Sequence, residues 1–203
     1  NGEFKLLTLK NRAGKSELPQ VYISDMRKEL KSGNRTIFSL KLQELIRDRL
    51  DKKEQIMLFL NKRGTAGFVS CRACGYVCKC PHCDVSMTAH RNGRLVCHYC
   101  GYETPQVKIC PECGSRYISG FKAGTEADED AVHKMFPDAT VLRMDLDTTK
   151  GKDGHEHILN AFATQQADVL VGTQMIVKGH DFPKVTLVGI VAADMSLYSG
   201  DYR

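Results

Sequence analysis

The sequence predicts an α/β fold, a parallel sheet with helices on its faces, interrupted by a small cysteine-rich insertion. Helix-like and strand-like segments alternate over short links on both sides of the middle of the chain. Such alternation implies parallel strands joined by crossover helices. All nine cysteines of the 203 residues lie between positions 67 and 120. That stretch has almost no aliphatic runs, so it needs cross-links such as metal ions or disulfides in place of a hydrophobic core.

The segments before the insertion indicate a connector and then the first part of an α/β lobe. Residues 1–20 are basic and rich in turn residues. We predict a short strand at Val21–Met26 and a helix with Ser39 as its N-cap, because apolar residues then recur at steps of three and four. The apolar run QIMLFLN predicts a strand buried on both faces of the sheet. Residues 21–66 form this first part.

The helix and strand alternation resumes after the insertion. The segment TEADEDAVHKMFP predicts a helix with Thr125 as N-cap, Asp128 at the capping-box position and Pro137 as the stop. TVLRM, DVLVG and VTLVGIV are predicted strands, and HEHILNAFA is a predicted helix. Residues 121–203 are therefore the remainder of the same lobe.

Charge and hydropathy exclude few classes of function. Lysine and arginine number 29 against 24 acidic residues, a net charge of +5 that is compatible with nucleic-acid binding without requiring it. The sequence shows no signal peptide, and its longest apolar run, VTLVGIVAA, is too short to cross a bilayer. We expect a cytoplasmic protein without a membrane partner. In a reducing compartment, cysteines are more often metal ligands than disulfides.

Eight of the nine cysteines form four C-x-x-C pairs. A tight turn between the members of each pair places two thiolates on one side, and glycine directly follows three of the pairs. Four pairs predict two tetrahedral four-cysteine sites, each holding one Zn²⁺, with an iron–sulfur cluster or redox disulfides as the alternatives. The pairs are Cys71 with Cys74, Cys80 with Cys83, Cys97 with Cys100, and Cys110 with Cys113.

Spacing alone leaves three ways to combine the pairs. The nested combination is favoured, because the two middle pairs are separated by a comfortable hairpin, and a cross-braced combination stays open. The nested scheme has site 1 at Cys71, Cys74, Cys110 and Cys113, and site 2 at Cys80, Cys83, Cys97 and Cys100. Cys78 is left over and is interpreted as a bystander thiol rather than a redox or exchange ligand. His82, His90 and His98 are expected to face solvent.

The surface of the insertion mixes basic and aromatic side chains. This combination suits single-stranded nucleic acid or a strand-separating wedge. A solvated charged surface, with tyrosines packed on the C-x-x-C turns (called knuckles below), explains it equally well. The residues concerned are Arg72, Lys79, Arg91, Arg94, Lys108, Arg116, Tyr76, His98, Tyr99 and Tyr102.

Two loops raise the question of phosphate binding. RAGKSE at residues 12–17 ends like a Walker A loop, but position 9 is leucine and Pro19 interrupts the helix that should follow, so we reject it. The polar loop between the last two predicted strands is a better candidate, since ligands bind at the carboxyl ends of parallel strands. A plain crossover turn is the alternative. The loop carries Gly172, Thr173, Gln174, Lys178, Gly179, His180 and Asp181.

The motif GTQMIVKGHDFPKVTLVG resembles motif V of the PriA family of primosomal replication-restart DNA helicases. The four C-x-x-C knuckles, LFLNKRG before them, and GTE and RMDLDTT after them match that family in order. The resemblance covers nearly the whole chain. It implies a RecA-like second lobe of an ATP-dependent 3′–5′ DNA helicase, with a two-zinc insertion at residues 67–120 that uses the nested grouping.

The resemblance also implies cofactors, partners and site roles. Gly172, Thr173 and Gln174 would approach DNA phosphates or transmit the nucleotide state, and Gly179 and Asp181 would lie at the nucleotide cleft. Lys178 belongs to the same nucleotide- or DNA-coupling motif V. ATP with Mg²⁺ would be the cofactor of the complete protein. Branched or single-stranded DNA, primosome proteins and single-stranded-DNA-binding protein would be partners at the bacterial nucleoid.

The sequence departs from a complete motor. It contains no Walker A motif and no DExx motif directly after a predicted strand, and it stops before the arginine-rich motif VI, so we expect a fragment without catalytic residues and without ATPase activity of its own. The main alternative is a non-enzymatic zinc-ribbon adaptor. A thiol oxidoreductase built from the C-x-x-C pairs is a weaker third, since it requires an exposed pair with a depressed pKa and no tightly bound metal.

Overall fold

The computed structural model describes residues 18–60, 68–90, 92–120, 125–145, 148–149, 154–173, 176 and 181–194. The helices are α1 (Met26–Lys31), α2 (Leu40–Asp51), α3 (Thr125–Met135) and α4 (Gly154–Ala163). The strands are β1 (Gln55–Leu60), β2 (Val69–Cys71), β3 (Thr88–Ala89), β4 (Arg94–Val96), β5 (Glu103–Pro105), β6 (Ile118–Gly120), β7 (Val141–Met144), β8 (Val169–Gly172) and β9 (Val185–Val191).

A four-stranded parallel sheet organises the α/β part, in the order β7-β8-β1-β9. In this sheet Leu58 of β1 lies opposite Val171 on one side and Gly189 on the other. A Cβ atom at Gly189 would lie 2.8 Å from Leu58 Cδ2 and 2.9 Å from Leu42 Cδ1, so glycine lets α2 cross close to β9. The predicted class, a parallel α/β sheet interrupted by a cysteine-rich segment, is confirmed.

Helices cover both faces of the sheet. Successive side chains of a strand point to opposite faces, so β1 contributes to the packing on both. Ile56 and Leu58 join α2 and α3 in one core cluster, which includes the fully buried Ile46 and Val132. Met57 and Phe59, the alternate residues of β1, pack on the other face against the cluster that contains α4. The central strand is therefore buried on both sides, as its continuous apolar run predicts.

The strand predicted at Val21–Met26 is wrong. Val21 and Ile23 are 76% and 95% exposed, and the helix α1 begins at Met26. The cause is Asp25, whose carboxylate accepts from the backbone N–H of Arg27 as an N-cap and also from the Arg27 guanidinium. Local capping by this carboxylate outweighs the β-branched residues before it, since they have no strand to pair with among the described residues.

The two predicted helix caps have different outcomes. Ser39 is the N-cap of α2, and its hydroxyl accepts from the backbone N–H of Leu42 at 3.2 Å. The assignment of Thr125 as N-cap is wrong, because Thr125 is already the first residue of α3. Its hydroxyl donates instead to the carboxylate of Asp145, which follows β7. A charged acceptor across the sheet edge binds this hydroxyl more strongly than a neutral one would.

The cysteine-rich segment leaves the sheet after β1 and returns at α3. Its base is the antiparallel pair β2-β6, and its outer part is the three-stranded antiparallel sheet β3-β4-β5. Five of the nine residues in its buried cluster are cysteines. The remaining four are Val69, Met87, Leu95 and Ile118. Sulfur atoms therefore occupy the place that aliphatic side chains fill in a larger domain.

Candidate metal centres and the sheet-edge loop

Each C-x-x-C pair folds into the same short turn. The amide of the first cysteine donates to the carbonyl five residues on, and its carbonyl accepts from the amide four residues on, as in Cys71 N–H to Tyr76 and Gly75 N–H to Cys71. The residue after the second cysteine has positive φ in all four turns: Gly75 (88°), Asp84 (55°), Gly101 (77°) and Gly114 (68°). Three glycines follow from the sequence, and the fourth turn uses aspartate, a residue that tolerates this conformation.

The structure brings the four predicted ligands of site 1 together. The Sγ atoms of Cys71 and Cys113 are 3.7 Å apart, and those of Cys74 and Cys110 are 3.6 Å apart. All four sulfur atoms lie within 4.8 Å of one another. These residues come from the two ends of the insertion, so the β2-β6 pair holds the two turns face to face.

Site 2 gathers the two inner turns in the same way. The Sγ atoms of Cys80 and Cys100 are 3.6 Å apart, and the four sulfurs of Cys80, Cys83, Cys97 and Cys100 lie within 4.8 Å of one another. The grouping is thus the nested one. In each site the first cysteine of a pair is buried, while the second is half-buried or exposed. Both sites therefore lie between the small core and the surface.

The donor set fits a tetrahedral metal ion. Zinc–sulfur bonds of about 2.3 Å in a tetrahedron place sulfur atoms about 3.8 Å apart, close to the observed separations. A disulfide would require about 2.05 Å, and all nine cysteines are free thiols. Two clusters of four cysteines can thus hold two metal ions. Because protein sulfurs fill all four positions, water has no place on such an ion, which is the arrangement of a structural centre.

The backbone prepares individual sulfurs for ionisation. The N–H of Cys100, joined by that of Tyr99, donates to Cys97 and lowers the pKa of its thiol to about 7 despite burial. Burial opposes ionisation of Cys110, but the amides of Cys113 and Glu112, together with side-chain hydrogen bonds with Cys74 and Cys113, lower its pKa to about 7. A hydrogen bond with Cys100 raises the pKa of Cys83 to about 12. Backbone amides therefore favour the thiolate form of one cysteine in each cluster, Cys97 in site 2 and Cys110 in site 1.

Cys78 belongs to neither cluster. It is 4% exposed, and burial, followed by the neighbouring Cys110 and Cys71, raises the pKa of its thiol to about 11. Its backbone N–H donates to Val69 and its carbonyl accepts from Met87, so this residue ties β2 to the outer sheet. Cys78 acts as a small apolar core residue.

The side chain of Arg72 contacts the α/β part, which the sequence does not predict. Its guanidinium donates to the backbone carbonyls of Arg35 (2.8 Å), Asn34 (3.3 Å) and Thr36, in the loop that precedes α2. Burial lowers its pKa. Arg72 thus fastens the first knuckle to the α/β part. The repeated pattern of the knuckles hides this role, because nothing in C-R-A-C marks the arginine as inward-facing.

The other basic and aromatic residues form a more open surface. Arg94 pairs with Glu103 at 2.8 Å and Lys79 with Asp84 at 2.9 Å, in partly exposed ion pairs. Tyr99 is 83% exposed, and Lys108 and Arg116 are also exposed. Tyr76 and Tyr102 are half-buried against the cysteine cluster. Arg91 lies outside the described residues.

The three histidines of the insertion are exposed, as expected, but two of them touch. His82 packs edge-on against Tyr102, with ring centroids 5.0 Å apart. The Nε2 atoms of His90 and His98 are 3.2 Å apart. Eight residues separate the pair in sequence, and only the pairing of β3 with β4 brings them together.

The predicted sheet-edge loop is described in part. Gly172 ends β8, and a Cβ atom there would lie 2.5 Å from Ile176 Cγ2 and 2.8 Å from the Met144 carbonyl, so glycine is required by close packing. The carbonyl of Thr173 accepts from the amide of Ile176. Asp181 is exposed. Gln174, Lys178, Gly179 and His180 lie outside the described residues.

One further polar residue lies at this edge of the sheet. Asp145, just after β7, accepts from the Thr125 hydroxyl and the Thr148 amide and pairs with the Arg143 side chain at 3.2 Å. It thus links the start of α3, where the chain returns from the insertion, to the carboxyl edge of the sheet. In the sequence, only the motif RMDLDTT points to Asp145, and the charges in this motif do not mark it as a site residue.

Fold and site together define an α/β lobe that carries a cysteine-rich, metal-binding insertion. The family profile of the PriA DNA helicase Cys-rich region (CRR) domain matches residues 80–105. Over its whole length the chain matches a segment of replication restart protein PriA. It is 53% identical over 203 residues to the protein of Bacillus subtilis, covering 100% of this chain and 25% of the relative.

Two further relatives support the same match. Identity to replication restart protein PriA of Synechocystis is 48% over 202 residues, 97% of this chain and 24% of the relative. For the protein of Haemophilus influenzae it is 36% over 205 residues, 100% of this chain and 28% of the relative. The chain thus spans about a quarter of the length of these relatives. The resemblance predicted from the motifs is confirmed.

Among the described residues, no helix is long and apolar enough to cross a membrane.

Proposed function

We propose that this chain is the second motor lobe and zinc module of an ATP-dependent 3′–5′ DNA helicase that remodels stalled replication forks and starts primosome assembly. The observation that carries the proposal is the match of this whole chain to a segment of replication restart protein PriA, together with two clusters of four cysteines in the insertion. The proposed division is a connector (1–20), the lobe (21–66 and 121–203) and the zinc insertion (67–120).

The proposed metal complement is two Zn²⁺ per chain, one on each nested cluster. Cys71, Cys74, Cys110 and Cys113 would hold the first ion, and Cys80, Cys83, Cys97 and Cys100 the second. Sulfur separations of 3.6–3.7 Å support this assignment. Bound zinc would supply folding free energy to a segment in which five of the nine residues of the buried cluster are cysteines.

The motor role is assigned to the carboxyl edge of the parallel sheet. Gly172 and Thr173, followed by Gln174, would contact a DNA phosphate or transmit the nucleotide state, while Gly179 and Asp181 would lie at the nucleotide cleft. Lys178 would couple to the nucleotide or to DNA as part of the same motif. The support is their position after β8, where α/β sheets bind ligands, and the close packing at Gly172. ATP and Mg²⁺ would bind only with the help of a Walker A loop, which this stretch lacks.

The exposed part of the insertion is assigned to nucleic acid and protein partners. Tyr99 with Lys108 and Arg116 offers a stacking ring and cations for single-stranded or branched DNA. Primosome proteins and single-stranded-DNA-binding protein are the proposed protein partners, at the bacterial nucleoid in the cytoplasm.

The decisive experiment compares this 203-residue chain with the longer polypeptide proposed to contain it, in an ATPase assay with forked DNA. We expect the short chain to match a no-protein control and the longer one to hydrolyse ATP only with DNA. In the longer protein, Thr173→Ala should reduce DNA-stimulated turnover, while Thr164→Ala, at an exposed position just after α4, should not. DNA-stimulated turnover by the short chain would overturn the assignment. Absence of turnover in the longer protein would favour the zinc-ribbon adaptor.

A further inference from the structure

Two imidazole rings converge at the surface of the insertion, outside both cysteine clusters. The Nε2 atoms of His90 and His98 are 3.2 Å apart, and their ring centroids are 5.2 Å apart at an angle of 54°. Both residues are exposed, so small ions in solution reach them freely. Neither ring has a place in the two cysteine sites, whose eight ligands are all sulfur.

The separation of the two nitrogen atoms suits one shared metal ion. Metal–nitrogen bonds of about 2.0–2.1 Å place two nitrogens about 3.3 Å apart at the tetrahedral angle and about 2.9 Å apart at a right angle. The observed 3.2 Å falls between these values. In the absence of metal the same geometry holds a single N–H···N hydrogen bond, and the ion would take the place of that hydrogen.

The backbone holds both rings in position before any ion arrives. His98 lies within the Cys97–Cys100 turn, which is fixed by the hydrogen bonds of Cys97 to Tyr102 and of Gly101 to Cys97. His90 begins the turn between β3 and β4, where its amide donates to Arg94 and its carbonyl accepts from Gly93. Two anchored ligands bind an ion more tightly than either alone, because the second bond forms within the molecule.

We propose that His90 and His98 form a third, exchangeable metal site for a borderline divalent ion such as Zn²⁺, with water completing its coordination. Imidazole is a ligand that zinc, copper and nickel prefer. With two protein ligands instead of four thiolates, the site releases its ion far more readily than the cysteine clusters do. A bound ion clips the β3-β4 turn to the inner knuckle, beside Tyr99. This inference does not depend on the helicase assignment.

The test is equilibrium dialysis of the purified chain against micromolar Zn²⁺, with zinc counted per chain before and after removal of loosely held metal by gel filtration. We expect one additional zinc that is lost on gel filtration, and zinc-induced shifts confined to the ring resonances of His90 and His98 in NMR spectra. His90→Gln should weaken this additional binding on the order of 100-fold, because it turns a chelating site into a single ligand.

The matched control is His82→Gln. His82 occupies the other knuckle of the same cluster and packs on Tyr102, so it shares the exposure and neighbourhood but not the partner imidazole. It should keep the additional zinc. His98→Gln should lose the additional zinc. If that variant also loses the tightly held zinc of site 2, the test depends on His90→Gln, because His90 lies outside the C-x-x-C turns. Equal additional binding in wild type, His90→Gln and His82→Gln would show an adventitious ion only and would overturn the proposal.

Discussion

The guanidinium of Arg72, between the first two cysteines, donates to the carbonyl of Arg35 at 2.8 Å and so joins the metal-binding insertion to the loop before α2. Contacts with the neighbouring carbonyls of Asn34 and Thr36 complete a three-pronged attachment. Asn34 is itself held by Glu29 and by the Phe38 carbonyl. A continuous polar path thus runs from site 1 to the buried Phe38 under α2.

Replacing Arg72 tests this attachment. Arg72→Ala leaves three carbonyls without their charged donor, and hydrogen bonds of this kind contribute about 1.5–3 kcal/mol each at most. We expect faster amide hydrogen exchange in residues 34–39 and a lower melting temperature, with the zinc content unchanged. Arg72→Lys should recover little, because an ammonium lacks the planar fork that reaches several acceptors. The exposed Arg116 is the control, and equal exchange rates in Arg72→Ala and Arg116→Ala would refute the attachment.

The ninth cysteine distinguishes a core residue from a ligand. Cys78→Ser should retain both metal ions and lose about 1–3 kcal/mol of stability, because a more polar hydroxyl replaces a thiol that is only 4% exposed. Cys80→Ser, two residues away, removes a ligand and should release the metal of site 2. Zinc analysis and thermal unfolding of both variants decide the matter. If Cys78→Ser loses a metal ion, the assignment of the ligands is wrong.

The positive φ after each knuckle predicts a graded response to substitution. Among the described residues, no atom outside the adjacent ones lies within 4 Å of a Cβ built on Gly101, so backbone strain is what opposes a side chain there. Gly101→Val should lower the free energy of unfolding by at least about 1–2 kcal/mol. Gly101→Asp should lower it clearly less, because Asp84 already adopts this conformation after the Cys80–Cys83 pair. Thermal unfolding of the zinc-loaded variants measures the difference. Equal melting temperatures for the two variants would contradict the strain argument.

Glu54 predicts how acid affects the contact between α2 and β9. Its hydrogen bonds with Thr186 and then with Arg49 lower the pKa of its carboxyl from the ordinary 4.5. The stabilisation is therefore present above the ordinary pKa and is lost as the pH falls through the lowered folded value. Glu54→Gln should flatten this part of the stability profile between neutral pH and strong acid. Urea unfolding at several pH values tests it, with the exposed Glu44→Gln as control; identical profiles for wild type and Glu54→Gln would disprove the role.

Periodicity and spacing predicted the parts of the fold that depend on local sequence. The run QIMLFLN gave the buried central strand, Ser39 gave the start of α2, and the regular knuckles gave two clusters of four sulfurs. The errors occurred where one polar side chain decided the outcome. Asp25 turned a strand-like segment into a helix start, and Asp145 took the hydroxyl of Thr125.

The contacts that join distant segments could not be predicted from sequence. Arg72 reaches a loop 36–38 residues away, and His90 meets His98 only through the strand pairing between them. The attraction in both cases depends on side-chain placement to within an ångström, which residue spacing does not encode. Sulfur clusters are predictable because the C-x-x-C turn builds half of each site locally.

The measurement that tests the central claim most directly is zinc per chain by elemental analysis, combined with thiol titration of the native protein. The two-site structure predicts two tightly held zinc ions, at most one freely reactive thiol, and loss of the folded insertion on chelation. One zinc ion per chain, or several reactive thiols in the native protein, would contradict it.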